Sequence, residues 1–184
     1  MRPPAVQLLP AGAAGDRHVV ERLVELINRA YAAGEAGLWR PGTLRIAPDE
    51  VAAAIRAGAM LAARDGERIV GCAAVRSLDP ATVELGLVSA DPEHWGGGVG
   101  RALVRFADDL ARRRGAAAMQ LRVLVPRDGT HPDKERLRAW YERLGYRVVR
   151  VASFEEIAGH AASDLATPCE FLIFRKALAG DRSA

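Results

Sequence analysis

The run V-E-L-G-L-V-S-A-D-P-E-H-W-G-G-G-V-G-R-A-L, Val83 to Leu103, decides the fold. An apolar stretch rich in β-branched residues ends at Asp91-Pro92, glycines follow at Gly96, Gly97, Gly98 and Gly100, and a pattern of helical period then begins. The order is a strand, a glycine-rich turn and a helix N-terminus. Such a turn presents backbone N–H groups without helical partners at the positive end of a helix dipole, and together these bind phosphate. A plain tight turn is the competing reading. Consecutive glycines at a helix start cost chain entropy that a plain turn has no need to spend.

The neighbouring segments extend the pattern. Upstream, Ala5–Leu9 reads as a strand, and Asp16 caps a helix in which Val20, Leu23, Leu26, Ile27, Ala30 and Tyr31 recur at helical spacing to Gly34. Residues 34–48 are irregular, and a short helix runs from Pro48 to Gly58. Met60–Arg64 and Arg68–Arg76 flank Asp65-Gly66, a hairpin turn, and Thr82–Ala90 is the next strand. Downstream, Val99–Arg114 is a helix closed by Gly115, Ala118–Val125 a strand, and Asp133–Leu144 a helix closed by Gly145. Tyr146–Val151 and Glu170–Arg175 are the last strands, joined by a long segment, Ala152–Pro168. Hairpins come first and βαβ units later, which predicts an α/β chain with an α+β mixed sheet and helices on both faces. Residues 1–178 are expected to form a single domain, with a disordered tail over 179–184.

Composition narrows the function. Of 184 residues, 49% are apolar and 27% charged, ordinary for a soluble globular protein, and the formal net charge of +3 suits an anionic ligand. No block of like charge exceeds Arg112-Arg113-Arg114, so a nucleic-acid partner is not expected. No run is long enough to span a membrane, and none is expected as a partner. Cys72 and Cys169 lie in apolar strand-like runs and match no metal spacing, so buried free thiols and no bound metal are expected. The N-terminus lacks a basic start followed by an apolar stretch, which makes the cytoplasm the expected compartment.

Three phosphate loops compete for the glycine stretch. A P-loop needs G-x-x-x-x-G-K-[ST], and Arg101-Ala102 follow Gly100. A dinucleotide turn needs G-x-G-x-x-G, and the closing position is Arg101 from Gly96 and Leu103 from Gly98. The third fits. Trp95-Gly96-Gly97-Gly98-Val99-Gly100, after a strand and a D-P-E turn, resembles motif A of the GNAT superfamily, the acyl-CoA-dependent N-acetyltransferases, whose loop reads [Q/R]-x-x-G-x-[G/A]. Ala139–Tyr146, A-W-Y-E-R-L-G-Y, resembles the family's helix-to-strand signature. The order of strands and helices agrees from about Leu8 to Leu178. Trp95 departs from the family pattern, which has Gln or Arg there.

The resemblance implies a fold and a chemistry. The fold is a central mixed, mostly antiparallel sheet of about seven strands, with a splayed cleft between the fourth and fifth. The chemistry is transfer of an acetyl group from acetyl-CoA to a primary amine of a small molecule, by direct attack in a ternary complex. Acetylation of a protein lysine or N-terminus and a non-catalytic acyl-CoA sensor are the alternatives. An alkylammonium costs roughly 4 kcal/mol to deprotonate at pH 7, so a general base is useful. The resemblance makes Glu84 either that base or a carboxylate that moves no proton; another subgroup carries its base at the position of Arg122, where an arginine cannot serve. Tyr141 matches the tyrosine that protonates the departing thiolate, and core packing is its other reading. Val88, Ser89 and Ala90 match the segment that pairs with the pantetheine arm. Trp95, Gly96, Gly97, Gly98, Val99, Gly100 and Arg101 match the pyrophosphate cradle; Arg101 and Arg105 are either contacts to the ribose phosphate or merely solvated surface charges. Lys134 stands where the family often has an Asn that contacts the cofactor, and it either removes that contact or replaces it with a phosphate-directed charge. Acceptor-site positions in the family correspond here to Tyr31, Trp39, Arg40 and Arg45, and to Glu155, Glu156, His160 and Asp164. The resemblance also allows a homodimer.

Overall fold

The computed structural model describes residues 4–178. The disorder expected of 179–184 falls outside the described residues. Seven strands form one sheet in the order β1-β2-β3-β4-β5-β7-β6. They are β1 (Ala5–Leu8), β2 (Met60–Asp65), β3 (Arg68–Asp79), β4 (Thr82–Ala90), β5 (Ala118–Pro126), β6 (Arg147–Ser153) and β7 (Cys169–Ala177). The β4–β5 pair is parallel and the others antiparallel. The helices are α1 (Arg17–Gly34), α2 (Pro48–Arg56), α3 (Val99–Arg113), α4 (Pro132–Arg143) and a short α5 (Phe154–Ala158). Among the described residues, no helix is long and apolar enough to cross a membrane.

The apolar periodicities sort the helices onto two faces. Val20, Leu23, Leu26 and Ile27 of α1 join Val51 and Ile55 of α2 over Met60, Ala62, Ile69 and Cys72. On the opposite face Leu103, Val104 and Ala107 of α3 and Tyr141 of α4 cover Val83, Leu85, Met119 and Leu121. The Asp16 carboxylate caps α1, accepting the His18 and Val19 N–H groups. Gly71 of β3 lets α3 sit close. A Cβ there would overlap the Val99 side chain and lie 3.0 Å from the Ser89 carbonyl, so this glycine fixes how near the start of α3 comes to β4. Both cysteines are buried and free, and burial pushes the Cys72 thiol up to about 12 and the Cys169 thiol up to about 11.

One segment differs from its sequence reading. Residues 152–168, read only as a long segment joining the last strands, contain α5 and a 3-10 turn, Gly159–Asp164. The Ser153 hydroxyl accepts the Glu156 N–H, and Glu155 and Glu156 occupy the first turn of α5. Phe154, fully buried, stacks on Phe171 and packs edge-on against Trp39. The segment therefore carries a third apolar cluster with Leu38, Leu124 and Cys169.

Candidate active site

Strands β4 and β5 pair only from Thr82–Glu84 to Ala118–Gln120 and then part. The gap continues a cavity of about 900 Å³, within the usual range of ligand pockets. A bulge helps to open it. Between the Cys72↔Ser89 and Ala74↔Gly86 pairs, Leu87 and Val88 stand opposite the single residue Ala73. Leu87 has φ 52°, a left-handed conformation that costs a branched residue about 1–3 kcal/mol. Its side chain packs in the α1–α2 cluster, which holds the backbone there.

The glycine-rich loop closes one end of the cavity. Gly98 is the N-cap of α3 with φ 83°, and Gly96 has φ 80°, so both use conformations open to glycine at little cost. Trp95 lies 55% exposed, and its indole N–H donates to the Ala90 carbonyl at 3.0 Å. That bond ties the loop to the end of β4, and a tryptophan thereby frames the loop where the family has Gln or Arg. Arg101, in the first turn of α3, lines the cavity beside the loop, and Arg136 and Arg143 of α4 line it as well. The helix terminus and Arg101 make this end suited to phosphate. Two buried polar atoms here, Ser89 Oγ and His94 Nδ1, have no hydrogen-bond partner among the described residues. Asp91, 1% exposed, anchors the turn: its carboxylate accepts from Arg22 at 2.7 Å, from Arg68 at 3.3 Å and from the Glu93 N–H. Burial alone would raise its carboxyl, but the Arg22 hydrogen bond, the Glu93 N–H and the Arg22 charge outweigh burial and hold it below the ordinary carboxylate range.

The other end lies between α1 and α4. Lys134, Leu137 and Tyr141 share one face of α4 and line the cavity, as do Tyr31 and Glu35 from the end of α1. Trp140 packs against Gly100 and tilts onto Tyr141. Burial, with a smaller contribution from Tyr31, raises the Tyr141 hydroxyl far above the usual tyrosine range, so it stays protonated at any ordinary pH. Lys134 does not point to the phosphate end; it forms a buried ion pair with Glu35 at 2.8 Å. Glu35 also accepts the Trp39 indole N–H at 2.5 Å. No sequence reading singled out Glu35, whose partner lies far along the chain.

The structure gathers some of the expected site residues and leaves others aside. Of the cofactor positions, Val88, Ser89, Ala90, Trp95, Gly96, Gly98, Val99, Gly100, Arg101 and Lys134 line the cavity, and Gly97 does not. Tyr141 and Tyr31 are on the wall, while Trp39 stands one step behind it, reaching the cavity through Glu35. Arg40 is turned to Asp164 and Leu165, and Glu155 is exposed on α5; neither reaches the cavity. Arg45 stacks on the Tyr31 ring, 4.9 Å from its centroid. Glu84 is off the wall. Arg122 grips it in a fork, Nε to Oε1 at 2.7 Å and Nη2 to Oε2 at 3.0 Å, and Arg76 adds a third contact at 2.6 Å. Among the described residues no group of three or more His, Cys, Asp or Glu side chains is arranged to hold a metal ion.

The model of the Acetyltransferase (GNAT) family matches residues 21–146. No curated protein matches the sequence. An aminoglycoside 6'-N-acetyltransferase complexed with coenzyme A superposes with a TM-score of 0.71 at 16% identity, covering 97% of this chain and 99% of that one. PaiA N-acetyltransferase from Thermoplasma acidophilum, in complex with coenzyme A, gives 0.67 at 16% identity over 94% and 98%. A ribosomal-protein alanine N-acetyltransferase from Escherichia coli gives 0.66 at 15% identity over 98% of each chain. At such identities the likeness establishes the fold.

Proposed function

From the premise that this chain belongs to the GNAT family, as an acetyl-CoA-dependent acetyltransferase, we propose that its acceptor is a primary amine of a small molecule and that the amine attacks the thioester directly. The observation that carries this is a single cavity with two unlike ends. One is a cationic loop at a helix N-terminus; the other is walled by Tyr31, Leu124 and Leu137, with Trp39 one step behind Glu35. Such a wall suits a small acceptor better than a peptide.

The residues present fit acetyl-CoA. The N–H groups opening α3, with Arg101, would hold the pyrophosphate, and the unpaired edge of β4 over Val88–Ala90 would receive the pantetheine arm. The unpartnered Ser89 Oγ and His94 Nδ1 support a polar ligand there. A β4 N–H, that of Val88, would polarise the carbonyl. As the amine nitrogen bonds to the carbonyl carbon, the carbon–sulfur bond breaks and the thiolate takes the Tyr141 proton. The ammonium proton leaves through water in this reading. The fork of Arg122 on Glu84 supports Glu84 as a carboxylate that fixes Arg122 rather than one that moves protons.

Thiol release from acetyl-CoA, measured with a panel of small amines, tests this: turnover with at least one amine is expected. Acetylated protein with no small-molecule product, or acetyl-CoA binding with no turnover for any amine, would contradict it. A second expectation concerns the loop. Gly98→Val forces a β-branched residue to φ 83°, at a cost of roughly 1–2 kcal/mol. Acetyl-CoA affinity should fall about tenfold or more by calorimetric titration, and an unchanged Kd would remove the loop from the cofactor site.

A further inference from the structure

The chemistry above leaves Glu35 without a task, although the residue lines the cavity. It stands at the C-terminal cap of α1 and reaches Lys134 near the start of α4. Their side chains are 7% and 5% exposed. A buried ion pair is a poor strut, because removing two charges from water offsets most of their attraction, and apolar side chains would join the helices as well. His131 already links the same segments through the Ala36 carbonyl at 3.0 Å. Trp39, fixed in the apolar cluster against Phe154, holds the second Glu35 oxygen. The carboxylate is thus aimed by two donors. Asp133, the other carboxylate on the wall, is 40% exposed and engaged by Arg136.

We propose that Glu35 anchors the acceptor's ammonium group, which makes the acceptor a cationic primary amine. This rests on the acetyl-transfer reading above. Lys134 itself shows that the site accepts an ammonium: its Nζ is a point charge with three donors, the same head group that an alkylamine presents. An acceptor ammonium entering beside Lys134 shares Glu35 with it or displaces it. The Lys134 charge offsets the hold of Glu35 on the acceptor's proton, which water takes before attack. Tyr31 lines the same cavity.

The test compares the unmodified protein, E35Q and E35Q/K134M in steady-state assays at pH 7, with thermal melting and acetyl-CoA titration alongside. The acceptors are an alkylamine, cationic at this pH, and a weakly basic arylamine, uncharged. E35Q should raise KM for the alkylamine roughly tenfold to a hundredfold, the loss of one charge-assisted hydrogen bond. Its acetyl-CoA affinity should hold, and KM for the arylamine should change little. E35Q also leaves the Lys134 ammonium buried without a counter-charge, so the double variant is decisive. It should melt near the unmodified protein and keep the raised alkylamine KM. A double variant with normal alkylamine KM would make Glu35 a strut only and overturn the proposal. Equal KM increases for both acceptors would also overturn it. An unmodified protein that releases no thiol with any amine would bring down the acetyl-transfer reading, and the anchor with it; turnover with no Glu35 effect would bring down the anchor alone.

Discussion

Tyr141→Phe is expected to lower the turnover number by roughly 10²- to 10⁴-fold, the usual contribution of a positioned proton donor, with acetyl-CoA affinity nearly unchanged. The substitution deletes one oxygen and keeps the ring. The ring packs against Trp140, Tyr146 and Phe174, with centroids 4.8, 5.8 and 5.9 Å away, so its apolar contacts survive. The hydroxyl has no hydrogen-bond partner among the described residues, so its loss orphans no protein group there. A core role alone therefore predicts a silent mutant, and a proton-donor role predicts a slow one. The pH dependence adds a second readout. Because burial raises the Tyr141 hydroxyl, its acid form persists through the alkaline range. The rate should show no loss from Tyr141 deprotonation up to about pH 10, the ordinary tyrosine value. An unchanged turnover number in Tyr141→Phe would assign the residue to packing.

Asp91→Ala should cost the fold about 2–4 kcal/mol, because it removes the carboxylate of a buried ion pair. The lower part of the usual range applies, since Arg22 and Arg68 are 21% and 54% exposed and water can receive them. For a chain of this size the melting temperature should drop by roughly 5–15 °C. The same carboxylate ties α1 and β3 to the turn before the glycine loop, so acetyl-CoA affinity should fall with it. The sign with pH follows from the direction of its shift. The folded carboxyl lies below its unfolded value of about 3.9, so its contribution is whole above that pH and is lost as pH falls through the folded value. The stability gap between the unmodified protein and Asp91→Asn should accordingly be constant near pH 6 and shrink below pH 4. A gap that widens in acid would contradict the ion-pair account.

Local signals carried much of this structure into the sequence. Asp16 before an apolar helical period, Asp65-Gly66 between alternating runs, and glycines after Asp91-Pro92 each act through near neighbours. The elements that they predict are present, with β3 running three residues past its reading, to Asp79. The capping signal at Ser153–Glu156 was equally local, and the length of the segment around it hid α5. Long-range pairing was not legible. Glu84 looks like an isolated carboxylate on a strand until the parallel pairing of β4 with β5 brings Arg122 to it. Glu35 looks like a helix-ending residue until the fold sets α4 opposite, 99 positions on. Trp95 departs from the family motif as a letter, while its indole bond to Ala90 preserves the loop's anchorage. Apolar periodicity can foretell which face of an element is covered, but not which charges meet once the faces close.

The central claim is that an acetyl group passes directly from acetyl-CoA to a small amine bound in the same cavity. Incubation with acetyl-CoA labelled in the acetyl group and a cationic amine, followed by separation of protein from small molecules, measures it most directly. The account predicts label in the amine product, one thiol released per label transferred, and none on the protein. Label held on the protein before the amine is added, or thiol released without a labelled product, would contradict it.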